Sequence, residues 1–340
     1  MRFVSAVFLA GLLALSAQAQ TELYPGLQGD ALLSAIRSDY TPNQTLGYGP
    51  ARDVLWAYTD DADGALCGVY TGFCIQLTPG ADPSSDAFNK GLNAEHTWPQ
   101  SLGAGNEPQR SDMHNLFPTR VQVNSDRGND PFGEVADASA QRWYRGAVIQ
   151  SGVPTTDIDE WSEDTSSRFE PREDHKGNAA RAVFYFYAIY DNAISGSGDS
   201  FFAGMLGDLL AWNEANDPAD DRERARNAFI ATRQGNENPF ILDPTLARRA
   251  FAPATVDAER GPDGLAVSVF PNPTAGRLVV SLNEARDVQV EVVDALGRRV
   301  QSAAGTGRQT LDLGSLPGGL YLVRVTTEAG TVTRPVSVLR

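Results

Sequence analysis

The stretch Asn93-Ala-Glu-His-Thr-Trp-Pro-Gln-Ser101, with Ser111-Asp-Met-His-Asn-Leu-Phe-Pro118 and Val123-Asn-Ser-Asp-Arg-Gly-Asn129 close behind it, decides how this chain is read. It puts a carboxylate (Glu95), an imidazole (His96) and an amide (Asn124) within one short segment. Histidine is scarce: His96, His114 and His175 are the three in 340 residues, and two of them fall here. Adjacent side chains of an extended strand point to opposite faces, so Glu95 and His96 serve one ligand only where a strand ends or bulges. Pro99 is compatible with such an irregularity.

This pattern resembles the His-Me finger (ββα-metal) nucleases, and more closely the bacterial secreted endonuclease I family. The resemblance extends to Phe169-Glu-Pro-Arg172, Lys176-Gly-Asn-Ala-Ala-Arg181, Arg226-Asn-Ala-Phe-Ile230 and Gln234-Gly-Asn-Glu-Asn-Pro-Phe240, and so covers residues 30 to 250. It implies an α+β nuclease domain, mostly helical around the finger, and endonucleolytic cleavage of DNA that leaves 5′-phosphate ends, with RNA left open as a second substrate. Carried over by motif, Glu95 and Asn124 are expected metal ligands and His96 the general base. The arm between His96 and Asp112 is short and poor in basic residues beside the longer, cysteine-containing arm of some relatives, which leaves the phosphate-binding arginine open.

The residue types suit the chemistry that this likeness implies. An imidazole with an unperturbed pKa of about 6.5 is mostly neutral, hence basic, near neutral pH. Oxygen donors such as Glu95 and Asn124 suit a hard divalent cation, so Mg²⁺ is the expected cofactor with Mn²⁺ as a substitute. A zinc hydrolase is disfavoured because no HExxH pair sets two imidazoles on one helical face. Arg127 follows Asn124 by three residues, one helical turn away, and is the favoured phosphate contact. Arg110, the single arginine of the arm, and His114 are expected on the substrate side, with a structural role for His114 standing beside that one. His175, in Glu173-Asp-His-Lys176, reads as an exposed helix-start residue.

Around this centre the chain divides. Residues 1–19 read as a secretory signal: Arg2, the apolar run Phe8–Leu15, and Ala17-Gln-Ala19 before Gln20. No later stretch offers about 18 uninterrupted apolar residues, so a secreted protein without stable membrane insertion is expected. Export permits a disulfide between Cys67 and Cys74, with Gly68 and Thr71-Gly72 to turn the chain between them. The nuclease-like part is placed at 20–255, a Pro/Gly-rich linker at 256–264, and a small all-β sandwich at 265–340. Helices are expected at Gly29–Ile36, Ala179–Tyr190, Phe201–Asn216 and Asp221–Gln234, the second apolar on nearly all faces and therefore core, with a second short ordered element at Ala51–Tyr58. Strands are expected at Ala266–Phe270, Arg277–Leu282, Val288–Val293, Gly319–Thr326 and Thr331–Leu339. Asp60-Asp-Ala-Asp-Gly64 reads as a plain acidic turn, since the later ligands of a calcium loop are missing.

The tail segments Phe270-Pro-Asn-Pro-Thr274, Asp294-Ala-Leu-Gly-Arg298 and Leu316-Pro-Gly-Gly-Leu-Tyr-Leu-Val323 are similar to the C-terminal sorting domains of type IX (Por) secretion cargo. That similarity implies the type IX export machinery as a partner and a released or surface-held product. Charge speaks against a broad nucleic-acid face. The net charge is -15, and residues 20–260 hold 36 acidic against 19 basic side chains. Nearly all the basic ones are arginine, which suits bidentate phosphate contacts in a local groove. The alternative reading is an extracellular nucleic-acid-binding or adhesive protein without catalysis.

Overall fold

The structure is a computed structural model that describes residues 22–58, 64–194, 196–252 and, in the tail, 267–338 apart from 271, 273, 275, 283–285, 295, 296 and 329. The expected signal, the linker and all of the acidic turn but Gly64 lie outside the described residues.

The run Ala179–Tyr190 has no polar face to offer water, and it becomes the centre of the larger unit. Helix α5 (Lys176–Tyr190) buries 13 of its 15 residues. Around it pack α1 (Gly29–Tyr40), α6 (Gly196–Ala211) and the short helix Leu246–Phe251, through Leu32, Ile36, Phe202, Leu209, Leu246 and Phe251. Each such side chain taken from water contributes about 1.5–3 kcal/mol. The helix expected to run on to Asn216 leaves α-geometry after Ala211 and finishes in a π turn, Trp212–Asn216. Helix α7 (Asp221–Gln234) starts where the Asp220 carboxylate accepts from the Glu223 N–H at 2.7 Å, and stops at Gly235, whose φ of 84° suits glycine.

A second apolar cluster joins α2 (Tyr48–Ala57) to α3 (Pro83–Asn89) and α7 through Ala51, Leu55, Trp56, Ala87 and Ile230. On it rest two hairpins. Strands β1 (Ala65–Gly68) and β2 (Phe73–Gln76) pair Cys67 with Cys74, and the two form the expected disulfide. Strands β3 (Leu92–His96) and β4 (Leu116–Arg120) pair antiparallel with Glu95 opposite Phe117 and His96 opposite Leu116, and α4 (Val121–Arg127) follows without a break. A further antiparallel sheet in the order β6 (Val148–Gln150), β5 (Arg142–Arg145), β7 (Ser162–Asp164), β8 (Phe169–Glu170) completes a mixed helix and strand unit.

The tail is all β. One sheet has the order β13 (Gln309–Asp312), β10 (Arg277–Leu282), β9 (Val267–Phe270), and the other β12 (Arg299–Thr306), β11 (Asp287–Val293), β14 (Gly319–Thr327), β15 (Gly330–Val338), every pair antiparallel. Inward valines at alternate positions, such as Val323, Val325, Val332 and Val336, fill the core. β12 and β13 were not among the expected strands. β12 pairs along the sheet edge through its backbone and leaves most side chains exposed, so its sequence carries no apolar alternation.

Candidate active site

Strand β3 stops at His96, whose ring meets Tyr48, Arg110 O and Gln100 while the carboxylate of Glu95 meets Tyr70 and Arg127. Beyond it the chain is clamped to the turn before β4: Thr97 N donates to Asn115 O at 3.0 Å, Trp98 N to Asn115 Oδ1 at 2.7 Å, and Asn115 Nδ2 to Trp98 O at 3.2 Å. The turn is anchored in the core by Asp112, a buried carboxylate that accepts from Tyr185, Tyr190, Gln234 and its neighbour His114 N at 2.7–3.0 Å. Arg226 of α7 adds donors to the carbonyls of Met113 and Leu116. Tyr185 and Tyr190 of α5, Arg226 and Gln234 of α7, and Asn236 beyond it, far along the chain, therefore form the frame that holds the hairpin.

Glu95 is 2% exposed. Its Oε1 accepts from Tyr70 Oη at 2.7 Å and from Arg127 Nη1, while Oε2 has no hydrogen bond among the described residues. Burial pushes this carboxyl up, and the Arg127 guanidinium and the Tyr70 hydroxyl pull against it. Asn124 projects from α4 onto β3, where its Nδ2 donates to Asn93 Oδ1 at 2.9 Å and to Ala94 O at 3.0 Å. With the nitrogen so used, Oδ1 is the atom left over. A carboxylate oxygen and an amide oxygen, both without protein donors, are a hard donor pair that fits a cation such as Mg²⁺ completed by water. Among the described residues no three His, Cys, Asp or Glu side chains form a metal cage, so the fit rests on one acid and one amide.

His96 is 6% exposed, and its two ring nitrogens have different partners. Nε2 lies 3.0 Å from Arg110 O and Nδ1 lies 3.2 Å from Gln100 Nε2. A carbonyl only accepts and an amide nitrogen only donates, so the proton sits on Nε2 and the lone pair on Nδ1. Burial lowers the imidazole pKa to about 4, and the nearby Arg110 and Arg52 add to the fall. Its ring stacks on Tyr48 of α2, with centroids 5.4 Å apart, and the guanidiniums of Arg52 and Arg110 lie 4.2 and 4.5 Å from the Tyr48 centroid.

Three expectations meet corrections. Arg127, favoured as a phosphate contact, is 1% exposed and is occupied by Glu95, His96 O, Thr97 O and Asp130 O over the Phe132 ring. The one-turn spacing from Asn124 holds, but the guanidinium is drawn to Glu95 and the carbonyls of His96 and Thr97. His114 is buried, with Nε2 donating to Asn236 O at 3.1 Å and its ring edge against Tyr185, so it packs inside and does not reach a substrate. His175 does stand at a helix start, immediately before α5, but it is buried between Tyr70 and Phe117 and not exposed. Arg110 alone of the expected substrate-side residues is exposed, beside His96.

Tyr48, Arg52, Tyr70 and Gln100 were not singled out from sequence. Only Gln100, four residues after His96 and past the strand end, carried a local signal. None of Glu95, His96 or Asn124 lines the cavities of about 620, 450 and 470 Å³, but the last is lined by Gln100, the partner of His96 Nδ1, with Glu107 and Gln109.

Comparison with known proteins gives a concordant picture. Residues 30–245 match the family described as Endonuclease I, and residues 268–338 match the one described as Secretion system C-terminal sorting domain. The chain is 31% identical over 238 residues to an extracellular ribonuclease of Bacillus subtilis (strain 168), covering 65% of this chain and 74% of that protein. It is 30% identical over 251 residues to an extracellular ribonuclease of Bacillus amyloliquefaciens, covering 67% and 78%. An extracellular deoxyribonuclease of Aeromonas hydrophila is 32% identical over 130 residues, covering 38% and 48%.

Proposed function

This chain belongs to the endonuclease I family and is a nuclease, a phosphodiester hydrolase, and we propose that its β3–β4–α4 unit is a His-Me finger acting on DNA and RNA alike. The sorting domain at 268–338 marks it for secretion, to the medium or the cell surface, and we assign its export to the type IX machinery. No helix of the described residues is long and apolar enough to cross a membrane.

In the proposed reaction the lone pair on His96 Nδ1 takes a proton from the attacking water, and the Nε2–H bond to Arg110 O holds the ring in that tautomer. Gln100, now bonded to Nδ1, gives way to that water on an exposed surface. Glu95 and Asn124 would hold a magnesium ion, which supplies positive charge to the pentacoordinate phosphate and to the leaving 3′ oxygen. Arg127 and Tyr70 orient Glu95 so that Oε2 is presented outward. Arg110, exposed and without an ion pair among the described residues, is the group assigned to the scissile phosphate. Water as nucleophile leaves a 5′-phosphate and makes no use of a 2′-hydroxyl. The named groups read no base edge either, which supports a substrate range that spans DNA and RNA, as do the relatives' divided names.

The observation that carries the reading is the complementary state of three atoms: His96 Nδ1 with a lone pair, and Glu95 Oε2 and Asn124 Oδ1 without protein donors. The test is incubation of the secreted protein with supercoiled plasmid and with RNA in Mg²⁺ or EDTA, with His96→Ala alongside. Cleavage lost in EDTA and cut about 10²–10⁴-fold in the variant is expected. A folded His96→Ala protein that cuts at the wild-type rate would remove His96 from the base role.

A further inference from the structure

Of the positive side chains in this acidic protein, most are neutralised by a carboxylate: Arg37 by Asp191, Arg145 by Asp157, Arg168 by Asp208, Arg248 by Glu214. Arg52 is an exception. It forms no ion pair among the described residues, it is only half buried, and its single hydrogen bond runs from Nε to Tyr48 O at 3.2 Å. Asp86 of α3 pairs with Lys90, Asp53 accepts from Ser84 N, and Asp82, which caps α3 through Ser84 and Ser85, feels the charge of Arg52 without forming a salt bridge to it. Both Nη atoms are left as donors.

The place where those donors are held is the second observation. Arg52 lies on the ring of Tyr48, the same ring that carries the Arg110 guanidinium and stacks on the imidazole of His96. An arginine stacked on an aromatic face loses little further freedom when its planar fork takes up an anion. Two guanidiniums on one tyrosine, neither in a salt bridge among the described residues, form a local positive step in a chain of net charge -15. Sharing one ring, they can engage neighbouring phosphates of a strand, whose charges repeat about every 3.4 Å along the axis, but not distant ones.

We propose that Arg52, carried on Tyr48 beside His96, is a substrate-binding residue that contacts a phosphate of the polynucleotide adjacent to the scissile one. Tyr48 is then a positioning residue: its ring sets Arg52 and Arg110 at a fixed spacing against the general base. The consequence is a substrate that must present at least two consecutive phosphates for full affinity, which favours chains over dinucleotides without any reading of sequence.

This inference rests on the nuclease reading of the same site, and the experiment separates the two. Full-length wild type, Arg52→Gln, Arg52→Lys and, as a charge control in the tail, Arg299→Gln are compared for binding a fluorescein-labelled 12-nucleotide single strand in EDTA across a salt series. Cleavage of that strand and of a single-phosphate dinucleotide is then followed in Mg²⁺. Loss of one phosphate contact lowers the slope of log affinity against log salt by about 0.7. That fall is expected for Arg52→Gln, with roughly tenfold weaker binding at low salt and a raised KM on the 12-mer. Dinucleotide cleavage stays within twofold. Arg52→Lys keeps the slope and loses part of the affinity. An unchanged slope in Arg52→Gln, an equal fall in Arg299→Gln, or an equal loss on the dinucleotide would overturn the proposal while wild-type cleavage leaves the nuclease reading in place. Wild type that binds with the Arg52-dependent slope but never cleaves sinks only the latter; wild type that does not bind overturns the proposal, and the nuclease reading falls with it only if the strand is also uncut in Mg²⁺.

Discussion

Replacing Arg127 by methionine separates a positioning role from a phosphate contact. The guanidinium pairs with Glu95 Oε1, donates to His96 O at 3.3 Å, Thr97 O at 3.1 Å and Asp130 O at 3.3 Å, and lies 4.1 Å from the Phe132 ring centroid. Methionine keeps the contact with Phe132 and removes everything else, leaving Glu95 buried with the Tyr70 hydroxyl as its remaining donor. Breaking one side of a buried ion pair costs about 3–5 kcal/mol, because the remaining charge is uncompensated. At roughly 2–4 °C per kcal/mol for a domain of this size, the melting temperature falls by about 10 °C.

The pH dependence has a definite sign. Without Arg127 the Glu95 carboxyl, already pushed up by burial, rises further above its ordinary 4.5. The folded variant then holds a proton that the unfolded chain has released, so its stability is greatest in acid and declines as pH rises from about 4.5 towards the new folded value. The deficit against wild type is therefore larger at pH 8 than at pH 5. Denaturant unfolding at both pH values reads it, with activity against [Mg²⁺] followed in parallel. Arg127→Lys keeps the charge near Glu95 but cannot reproduce the three-carbonyl fork, so it restores the pH profile and only part of the stability. A variant Arg127→Met within about 1 kcal/mol of wild type at both pH values, yet with cleavage abolished, would refute the positioning argument and return the arginine to the phosphate.

Other outcomes follow from neighbouring groups. Glu95→Gln keeps the Tyr70 contact but leaves the buried Arg127 without its carboxylate, so it is expected to fold with lowered stability and to need a much higher Mg²⁺ concentration for any remaining cleavage; a Mg²⁺ titration that overlays wild type would remove Glu95 as a ligand. His175 is buried neutral, with its pKa lowered to about 3 by burial and then by Arg172, Arg226 and Arg181. Its unfolded form titrates near 6.5, so it contributes stability at neutral pH that is lost as pH falls through that window, about 2 kcal/mol by pH 5. His175→Phe should flatten the acid side of a melting-temperature profile, and an unchanged profile would count against this. Reduction of the Cys67–Cys74 bond, which closes a loop of sequence separation 7, should lower stability by about 2–3 kcal/mol in the chain-entropy picture, read as a melting shift in reductant with activity retained below it.

Much of this architecture was legible in local pattern. The apolar run of α5, the Asp220 cap and Gly235 stop of α7, and the alternating valines of the tail each follow from a periodicity or a turn residue that acts within a few positions. The expected β-strand ends fell within a residue or two of the observed ones, while β12 stayed hidden because an edge strand held by backbone pairing needs no apolar code. Burial of His114, His175 and Arg127 was hidden for a different reason. A short polar segment reads as surface unless distant residues such as Tyr185, Asn236, Tyr70 and Phe132 fold over it.

The sequence by itself determined which groups could do chemistry here: a carboxylate and an imidazole side by side, an amide on the helix that follows, and a sorting tail behind a nuclease-like body. Only the tertiary structure decided their state. The tautomer of His96 is set by the Arg110 carbonyl and by Gln100, the free oxygen of Glu95 by Tyr70 and Arg127, and the arrival of Arg52 by the stacking of Tyr48 on an imidazole 48 positions further along the chain. Residue type carries intrinsic reactivity, whereas protonation, orientation and electrostatic company depend on neighbours brought together only when the chain closes on its core.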